Sequence, residues 1–267
     1  MNGHATPQAI RVENLTLSYR HHPAVRRLDC EFQAGSLTAV VGPNGAGKSS
    51  LLRALAGLLT PTGGALHRPQ VGPAAVAYLP QQANADRSFP LRVLDVVMLG
   101  AWAQLGLFGG ARAAQRQRAQ EALAAVRLVG IENRLIAELS VGQFQRVLFA
   151  RLMLQDAALI LLDEPFAAID SRTTADLLAL VARWHAEQRT VIVALHDLTQ
   201  VRAHFPSTLL LARECIAHGP TEQVLSPEHL DHARRMAECW DEHAPRYREE
   251  QVTRAASQAA PQSRLAA

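Results

Sequence analysis

The sequence predicts an α/β domain with a mostly parallel sheet and a helical insertion. Wholly apolar runs, such as LILLD at residues 159–163 and VIVAL at residues 191–195, alternate with amphipathic segments. Strands buried on both faces are typically continuous apolar runs, and their alternation with helices indicates a parallel sheet covered on both sides. From about Phe89 to Leu154 the apolar residues recur at intervals of three and four, which predicts helices. This block interrupts the α/β pattern and is therefore an insertion into it.

The first elements are strands and one helix. IRVENLTLSYR at residues 10–20 alternates apolar and polar residues, as a half-buried strand does. Residues 36–59, SLTAVVGPNGAGKSSLLRALAGLL, read as an apolar strand, a glycine-rich loop and an amphipathic helix. AVAYLPQQ at residues 75–82 is a short buried strand that ends at Pro80 and Gln81.

The later elements are mainly helical. A turn at Gly106 to Gly110 separates two helices of the insertion, and the Ala-rich stretch at residues 111–130 is a solvated helix ended by Gly130. Another helix, from Thr173 to Gln188, lies between the two strands named above, and residues 226–243 form one more. The composition after about Tyr247, rich in Ala, Gln, Ser and Arg, predicts a disordered tail.

Composition restricts the kinds of partner that the chain fits. Of its 267 residues 48% are hydrophobic and 5% aromatic, so the core is aliphatic and large enough to fold alone. A net charge of +3 without a block of lysines and arginines indicates no nucleic-acid partner. Cys30, Cys215 and Cys239 are far apart and form no CxxC, so neither a disulfide framework nor a cysteine zinc site is indicated.

Targeting and membrane signals are weak in this sequence. The N-terminus lacks the charged and then apolar pattern of a signal peptide, which predicts a cytoplasmic location. The longest apolar run, residues 96–111, is interrupted by glycines, carries Gln104 and is shorter than the ~18 residues that a membrane span needs. A buried or partner-facing helix is the better interpretation of that run.

The glycine-rich loop GPNGAGKS fits the pattern G-x-x-x-x-G-K-[ST] between a strand and a helix. Its glycines let backbone N–H groups point at phosphate oxygens, its lysine reaches the β and γ phosphates, and its serine hydroxyl is placed for Mg²⁺. Lys48 is the only lysine in the chain, which indicates that this position requires a compact point charge. The predicted ATP-binding residues here are Gly42, Pro43, Asn44, Gly45, Ala46, Gly47, Lys48, Ser49 and Ser50.

Three further polar residues follow buried strands. Asp163, at the end of LILLD, can hold Mg²⁺ opposite the loop serine, and Glu164 can activate a water as general base. His196 follows VIVAL, and ligands in open α/β sheets bind at such carboxyl ends. A histidine there can reach the γ-phosphate, although a neutral surface histidine is the plainer interpretation in a chain with 11 histidines.

ELSVGQFQRV at residues 138–147 predicts a second anion-binding helix start. Ser140 is a natural N-cap, Gly142 allows close backbone approach, and Gln143 adds a side-chain donor. The glycine-rich loop already encloses one face of a triphosphate. The simplest arrangement that uses both sites is a head-to-tail pair of chains, in which each ATP lies between the loop of one copy and the serine-glycine-glutamine of the other.

Taken together, these motifs resemble an ATP-binding cassette (ABC) ATPase from about residue 8 to residue 225. The resemblance implies a P-loop NTPase core, an antiparallel β subdomain, an inserted α-helical subdomain, and ATP and Mg²⁺ as cofactors. It implies that Tyr19 stacks on adenine, that Gly42 to Ser49 is the Walker A loop, and that Gln81 is the Q-loop glutamine that senses the metal and the γ-phosphate. Gln81 would also link to the membrane partner.

The remaining motifs of the family follow in order. Leu139 to Gln143 resembles the LSGGQ signature, Asp163 and Glu164 the Walker B aspartate and catalytic glutamate, Asp170 the D-loop, and His196 the switch histidine. Val141 departs from the family pattern, which has glycine there. Helical backbone at a first turn accommodates valine at a cost of only a few tenths of a kcal/mol. The departure therefore affects the fine geometry of the second ATP contact and leaves its existence intact.

The resemblance also predicts subdomain boundaries. The P-loop core with its β subdomain would span residues 8–85 and 155–225, and the helical signature subdomain residues 86–154. A C-terminal helix at residues 226–245 and the tail at residues 246–267 would complete the chain.

Separate ATPase and membrane subunits are typical of bacterial importers. Phe89 to Phe108 and the segment from the signature to the D-loop closely resemble the metal-ion branch, with zinc favoured over manganese. The implied partners are a membrane permease, a second copy of the chain and, indirectly, a substrate-binding protein, with the chain peripheral on the cytoplasmic face. The alternatives are a heme, siderophore or cobalamin importer and a soluble ABC ATPase without a channel; a small-molecule P-loop kinase would leave the signature stretch unexplained.

One cluster remains outside these motifs. His229, His232, Cys239 and His243 recur at spacings that place ligands on one face of a helix. A polar surface helix is the favoured interpretation, and a regulatory metal site is the alternative.

Overall fold

The computed structural model describes residues 9–19, 22–68, 75–81, 87, 89–102 and 113–238. Its larger sheet has the strand order β5-β6-β7-β3-β8-β9. The first five strands in that order pair in parallel, and β9 pairs antiparallel to β8. These strands are β3 Leu37–Val41, β5 Val76–Leu79, β6 Leu159–Asp163, β7 Thr190–Ala194, β8 Ser207–Ala212 and β9 Glu214–Pro220.

The central strands separate two hydrophobic cores. Every residue of β3, β6 and β7 is buried, as the continuous apolar runs predict. Alternate side chains point to opposite faces: Val40 and Leu161 belong to one core, while Ala39 and Leu162 belong to the other. The predicted parallel sheet covered on both faces is therefore confirmed.

A smaller antiparallel sheet covers one face of the larger one. It has the order β2-β1-β4, with β1 Ile10–Tyr19, β2 His22–Phe32 and β4 Gly63–His67. Its apolar face packs together with α1 Lys48–Leu55 against the larger sheet, through Leu28, Phe32 and Leu51 among others. This sheet is the antiparallel β subdomain that the family resemblance implies.

The helical insertion connects β5 to β6, which are neighbours in the sheet. It contains α2 Val93–Met98, α3 Ala113–Ala125 and α4 Val141–Gln155, with 3₁₀ turns at Leu99–Ala101 and Ile136–Glu138. The ring of Phe149 on α4 stacks on Trp184 at 5.7 Å between centroids. This contact ties the insertion to the helix that follows β6.

The remaining helices are α5 Ser171–Ala186, α6 Leu198–His204, α7 Thr221–Val224 and α8 at residues 227–238. The first of them starts two residues before the predicted Thr173, because Asp170 accepts a hydrogen bond from the backbone N–H of Thr173 and caps the helix. The helix predicted to end at Gly130 ends at Ala125 instead, since Arg127 has left-handed backbone (φ 60°) and turns the chain.

Some predictions lie outside the described residues: the turn at Gly106 to Gly110, the side chains of Cys239 and His243, and the tail at residues 246–267. Within the described ranges, no helix is both long and apolar enough to cross a membrane. The subdomain boundaries stay predictions.

Gly100 offers a test of the packing within the insertion. A Cβ there would lie 2.2 Å from the carbonyl oxygen of Arg151 on α4, so Gly100→Ala must push the 3₁₀ turn Leu99–Ala101 away from that helix. We expect the free energy of unfolding to fall by about 1–3 kcal/mol, measured by urea denaturation. Gly63→Ala is the control, since its Cβ makes ordinary contact at 3.7 Å and should change stability by less than about 0.5 kcal/mol. Equal stability of the two variants would contradict the close packing.

Candidate nucleotide site

The larger sheet brings the predicted site residues to one edge. Its order places β5, β6, β7 and β3 side by side, and Gln81, Glu164, His196 and Gly42 each follow one of these parallel strands. Carboxyl ends of parallel strands lie at the same edge, where ligands of open α/β sheets bind. Residues that are up to 154 positions apart in the chain therefore meet through strand order alone.

The glycine-rich loop leaves β3 at Gly42 and enters α1 at Lys48. Gly47 caps this helix with left-handed backbone (φ 98°), and a Cβ there would lie 2.4 Å from the carbonyl oxygen of Ala24. A Cβ on Gly42 would lie 1.9 Å from the carbonyl oxygen of Leu211. The loop therefore needs glycine at both positions to pass between β2 and β8.

Lys48 is buried and folds back over its own loop. Its Nζ donates hydrogen bonds to the carbonyl oxygens of Gly42 at 2.8 Å and Pro43 at 3.0 Å. Burial lowers the pKa of the Lys48 ammonium, while the carboxylates of Glu164 and Asp163 act in the opposite direction. A compact ammonium reaches both carbonyls, which fits the point charge that the lone lysine predicts.

Ser49 and Asp163 form an oxygen pair below the loop. The Ser49 hydroxyl donates to Oδ1 of Asp163 at 3.0 Å, and the Tyr78 hydroxyl donates to Oδ2 at 3.5 Å. Burial raises the pKa of the Asp163 carboxyl, whereas the hydrogen bond from Ser49 lowers it. A hydroxyl and a carboxylate oxygen are donors that Mg²⁺ prefers, so the residues present fit the predicted ion.

Glu164 has a different environment from its neighbour. Its backbone is left-handed (φ 47°), and its Oε2 accepts a hydrogen bond from Nε2 of Gln81 at 3.0 Å. Nδ1 of His196 lies 3.9 Å from the same oxygen, with the histidine side chain 64% exposed. One carboxylate thus faces the open edge of the sheet between a glutamine and a histidine.

The predicted second anion site begins α4. Ser140 caps this helix: its hydroxyl accepts from the N–H of Gln143 at 3.2 Å, and its own N–H donates to Oε1 of Gln143 at 3.0 Å. The predicted N-cap is confirmed, but the amide of Gln143 is also part of this capping box, which the sequence analysis did not foresee. Val141 is the first helical residue and is 38% exposed, so its side chain points away from the core.

Asp170 lies close to this helix start. Its two carboxylate oxygens accept from the N–H and the hydroxyl of Thr173, and these bonds lower the pKa of the Asp170 carboxyl. A Cβ on Gly142 would lie 3.5 Å from Oγ1 of Thr173 and 3.7 Å from Oδ2 of Asp170. The predicted signature and D-loop are therefore neighbours within one chain.

Tyr19 ends β1 and is 40% exposed. The Arg53 guanidinium hydrogen-bonds both Tyr19 and Tyr78, which raises the pKa of that arginine. Sequence analysis missed both Tyr78 and Arg53. The position of Arg53 one helical turn after Ser49, on the same face of α1, was the available signal.

Known proteins resemble this chain along most of its length. The family described as ABC transporter matches residues 25–167, more than half of the sequence. The manganese transport system ATP-binding protein MntB of Listeria monocytogenes is 37% identical over 228 residues, which are 84% of this chain and 95% of that protein. The chain belongs to the ABC transporter family.

A second relative and a solved structure agree with that assignment. The zinc transport system ATP-binding protein TroB of Treponema pallidum is 38% identical over 233 residues, covering 86% of this chain and 88% of that protein. The inward-facing structure of an ABC transporter of the metal-chelate type superposes with a TM-score of 0.75 at 32% identity, covering 84% and 89% of the two chains. The chain is therefore an ATP-hydrolysing subunit of a transporter with the ABC ATPase fold.

The matched region contains part of the predicted ABC site. It includes the glycine-rich loop, Gln81, the signature stretch, Asp163 and Glu164, whereas Tyr19, Asp170 and His196 lie outside it. Of these three, His196 lies beside Glu164, with its Nδ1 3.9 Å from Oε2 of that carboxylate.

The contacts of Lys48 lead to a direct test. Lys48→Ala removes the ammonium that would meet the phosphates, and Lys48→Arg keeps the charge but replaces the point by a planar fork. We expect both variants to bind a fluorescent ATP analogue at least about tenfold more weakly, as judged by titration in the presence of magnesium. Unchanged binding in Lys48→Ala would contradict the loop assignment, and unchanged binding in Lys48→Arg alone would contradict the requirement for a point charge.

Proposed function

We propose that this chain is the motor subunit of an importer for a divalent metal ion, zinc or manganese. The observation that carries the motor role is the hydrogen bond from Ser49 on the glycine-rich loop to Asp163, the residue before Glu164. Relatives that are 37% and 38% identical over the aligned residues are named for manganese and for zinc transport. The preference for zinc over manganese stays a prediction.

In the proposed mechanism the loop binds the phosphates of ATP. The Lys48 ammonium exchanges its two loop carbonyls for phosphate oxygens, and the N–H groups at the start of α1 point at the same charge. Ser49 and Asp163 would hold Mg²⁺, which when bound neutralises charge on the phosphates. Tyr19, at the end of β1, offers an exposed ring to the adenine.

Glu164 is the proposed general base. Gln81 donates to one of its oxygens and so fixes the direction of the carboxylate, and His196 lies on the side of the same oxygen. A water held by the other oxygen would lose its proton to the carboxylate as it attacks the γ-phosphate. His196, being largely exposed, can turn towards that phosphate when the site closes.

The second half of each site would come from another copy. Ser140, Gly142 and Gln143 start a helix next to Asp170 of the same chain. A head-to-tail dimer would bring this helix start to the nucleotide of the partner. ATP binding would then close the pair, and hydrolysis would reopen it.

The transport partners follow from the same proposal. A membrane permease would bind the helical subdomain and Gln81, and a substrate-binding protein would deliver the metal ion on the other side of the membrane. The chain would lie on the cytoplasmic face, attached through the permease. The metal ion is the cargo and would not touch this subunit.

Glu164→Gln tests the mechanism. The substitution keeps the shape and the hydrogen bond to Gln81 but removes the base, so an ATP-bound dimer should accumulate. Light scattering after gel filtration, with saturating ATP and magnesium, measures the mass. The double variant Lys48→Ala/Glu164→Gln is the control and should stay monomeric, since its loop has lost the phosphate contact. A monomeric Glu164→Gln chain under these conditions would show that the head-to-tail arrangement is wrong.

The cargo is tested by uptake in cells that lack this chain. Radioactive zinc and manganese are supplied separately, and uptake of one of them should fall and then recover when the intact chain is returned. Returning Glu164→Gln should give no recovery, because that variant cannot complete hydrolysis. If neither metal responds while heme or cobalamin uptake does, the metal assignment is wrong and the alternative importer is correct.

A further inference from the structure

Gln145 holds the residue that directly follows Glu164. Its side chain is 3% exposed, and its Nε2 donates to the carbonyl oxygen of Pro165 at 2.6 Å. Within the described part of the chain, the buried Oε1 of the same amide has no hydrogen-bond partner. Burying an amide with one unpaired atom costs free energy. The hydrogen bond to Pro165 partly offsets that cost.

Arg146, the next residue, holds the helix that follows Asp170. Its guanidinium donates to Oγ1 of Thr173 at 3.1 Å, to Oδ2 of Asp176 at 2.9 Å, and to the carbonyl oxygen of Val126 at 3.1 Å. The arginine side chain is only 13% exposed. One mostly buried cation therefore joins the first turns of α4 and α5 to the end of α3.

The two side chains act on both ends of one short segment. Residues 165–176, here called the relay segment, run from Pro165 past Asp170 into α5. Gln145 bonds its beginning, and Arg146 bonds Thr173, the same residue that Asp170 caps. The relay segment thus follows Glu164 in sequence and is attached to α4 at two points.

We propose that Gln145 and Arg146 are positioning residues that couple the signature of a chain to its own hydrolytic carboxylate. The inference rests on the proposed head-to-tail dimer, in which Ser140 to Gln143 contact the nucleotide of the partner. Gln145 lies five residues after Ser140 on the same helix, about 7.5 Å along its axis. A shift of the helix start on the partner's nucleotide is therefore transmitted to Pro165 and so to Glu164.

The consequence is that each chain hydrolyses its own ATP efficiently only when its signature contacts the ATP that is bound to the partner. A small displacement is sufficient, because misplacing a catalytic group by about 1 Å can cost on the order of a hundredfold in rate. The contacts are buried and directional, which favours two discrete arrangements over a gradual change.

The variants Gln145→Leu and Arg146→Met each remove one attachment while keeping similar volume. Asp176→Asn weakens the same contact from the other side and replaces Arg146→Met if that variant fails to fold. Arg183→Met is the matched control, since it removes an exposed ion pair with Glu187 on α5 that has no part in the relay segment.

Three quantities are measured on the full chain: kcat, the Hill coefficient for ATP, and dimer formation by each variant combined with Glu164→Gln. We expect the Gln145 and Arg146 variants to lose at least about tenfold in kcat, with the Hill coefficient falling towards unity. Their ATP-dependent dimers should form at concentrations within about threefold of the Glu164→Gln parent, because the signature itself is intact. Arg146→Lys should recover part of kcat, and Arg183→Met should match the unmodified chain.

Unchanged kcat and Hill coefficient would overturn the coupling. So would a loss of kcat together with loss of the dimer, since Gln145 and Arg146 would then support the signature helix and nothing more. A Glu164→Gln parent that stays monomeric would overturn the proposed head-to-tail arrangement and the coupling with it, whereas a parent that dimerises confines any failure to the coupling.

Discussion

The buried ammonium of Lys48 is the constraint on which the nucleotide site depends. A buried cation must be matched by oxygens, and here two loop carbonyls bond it while two carboxylates lie near enough to affect its pKa. The carbonyls can turn inward only because the loop is built of glycines that pass against β2 and β8. The carboxylates are near only because β6 lies two strands from β3. Loop composition and strand order therefore both bring oxygen atoms close to the Lys48 ammonium.

How far the sequence could predict this site depends on the range of each interaction. Ser140 as N-cap and Gly42 to Ser49 as a strand–loop–helix were predictable, because capping and loop chemistry are local. The edge shared by Gln81 and Glu164 was predictable from the rule that ligands bind where parallel strands end. The hydrogen bond from Gln145 to Pro165 was not, since nothing local specifies which carbonyl a buried amide on the insertion will meet. The capping role of Gln143 is also local, because its side chain returns to the N–H of Ser140 three residues earlier.

Val141 illustrates how a family departure is accommodated. It is the first residue of α4, where the backbone is already helical and its side chain is partly exposed. The neighbouring Gly142 is the position that lies close to Thr173 and Asp170. A β-branched residue at the first turn costs little, and a Cβ on Gly142 would make only ordinary contacts with the cap of α5. The substituted position is the more exposed of the two.

A single helix connects the parts of the site that come from different elements. The start of α4 carries the signature, its second turn bonds Pro165 after Glu164, and its last turns bond β5, where Arg151 donates to Tyr78 and Gln155 to Val76. The strand β5 leads into Gln81, and Gln81 in turn bonds Glu164. Gln81 and Glu164 are therefore both linked to α4, Gln81 through β5 and Glu164 through Pro165. A tilt of α4 would change the Gln81–Glu164 distance unless both attachments moved together, so the helix that we propose to contact the partner is also the element best placed to set the direction of the carboxylate.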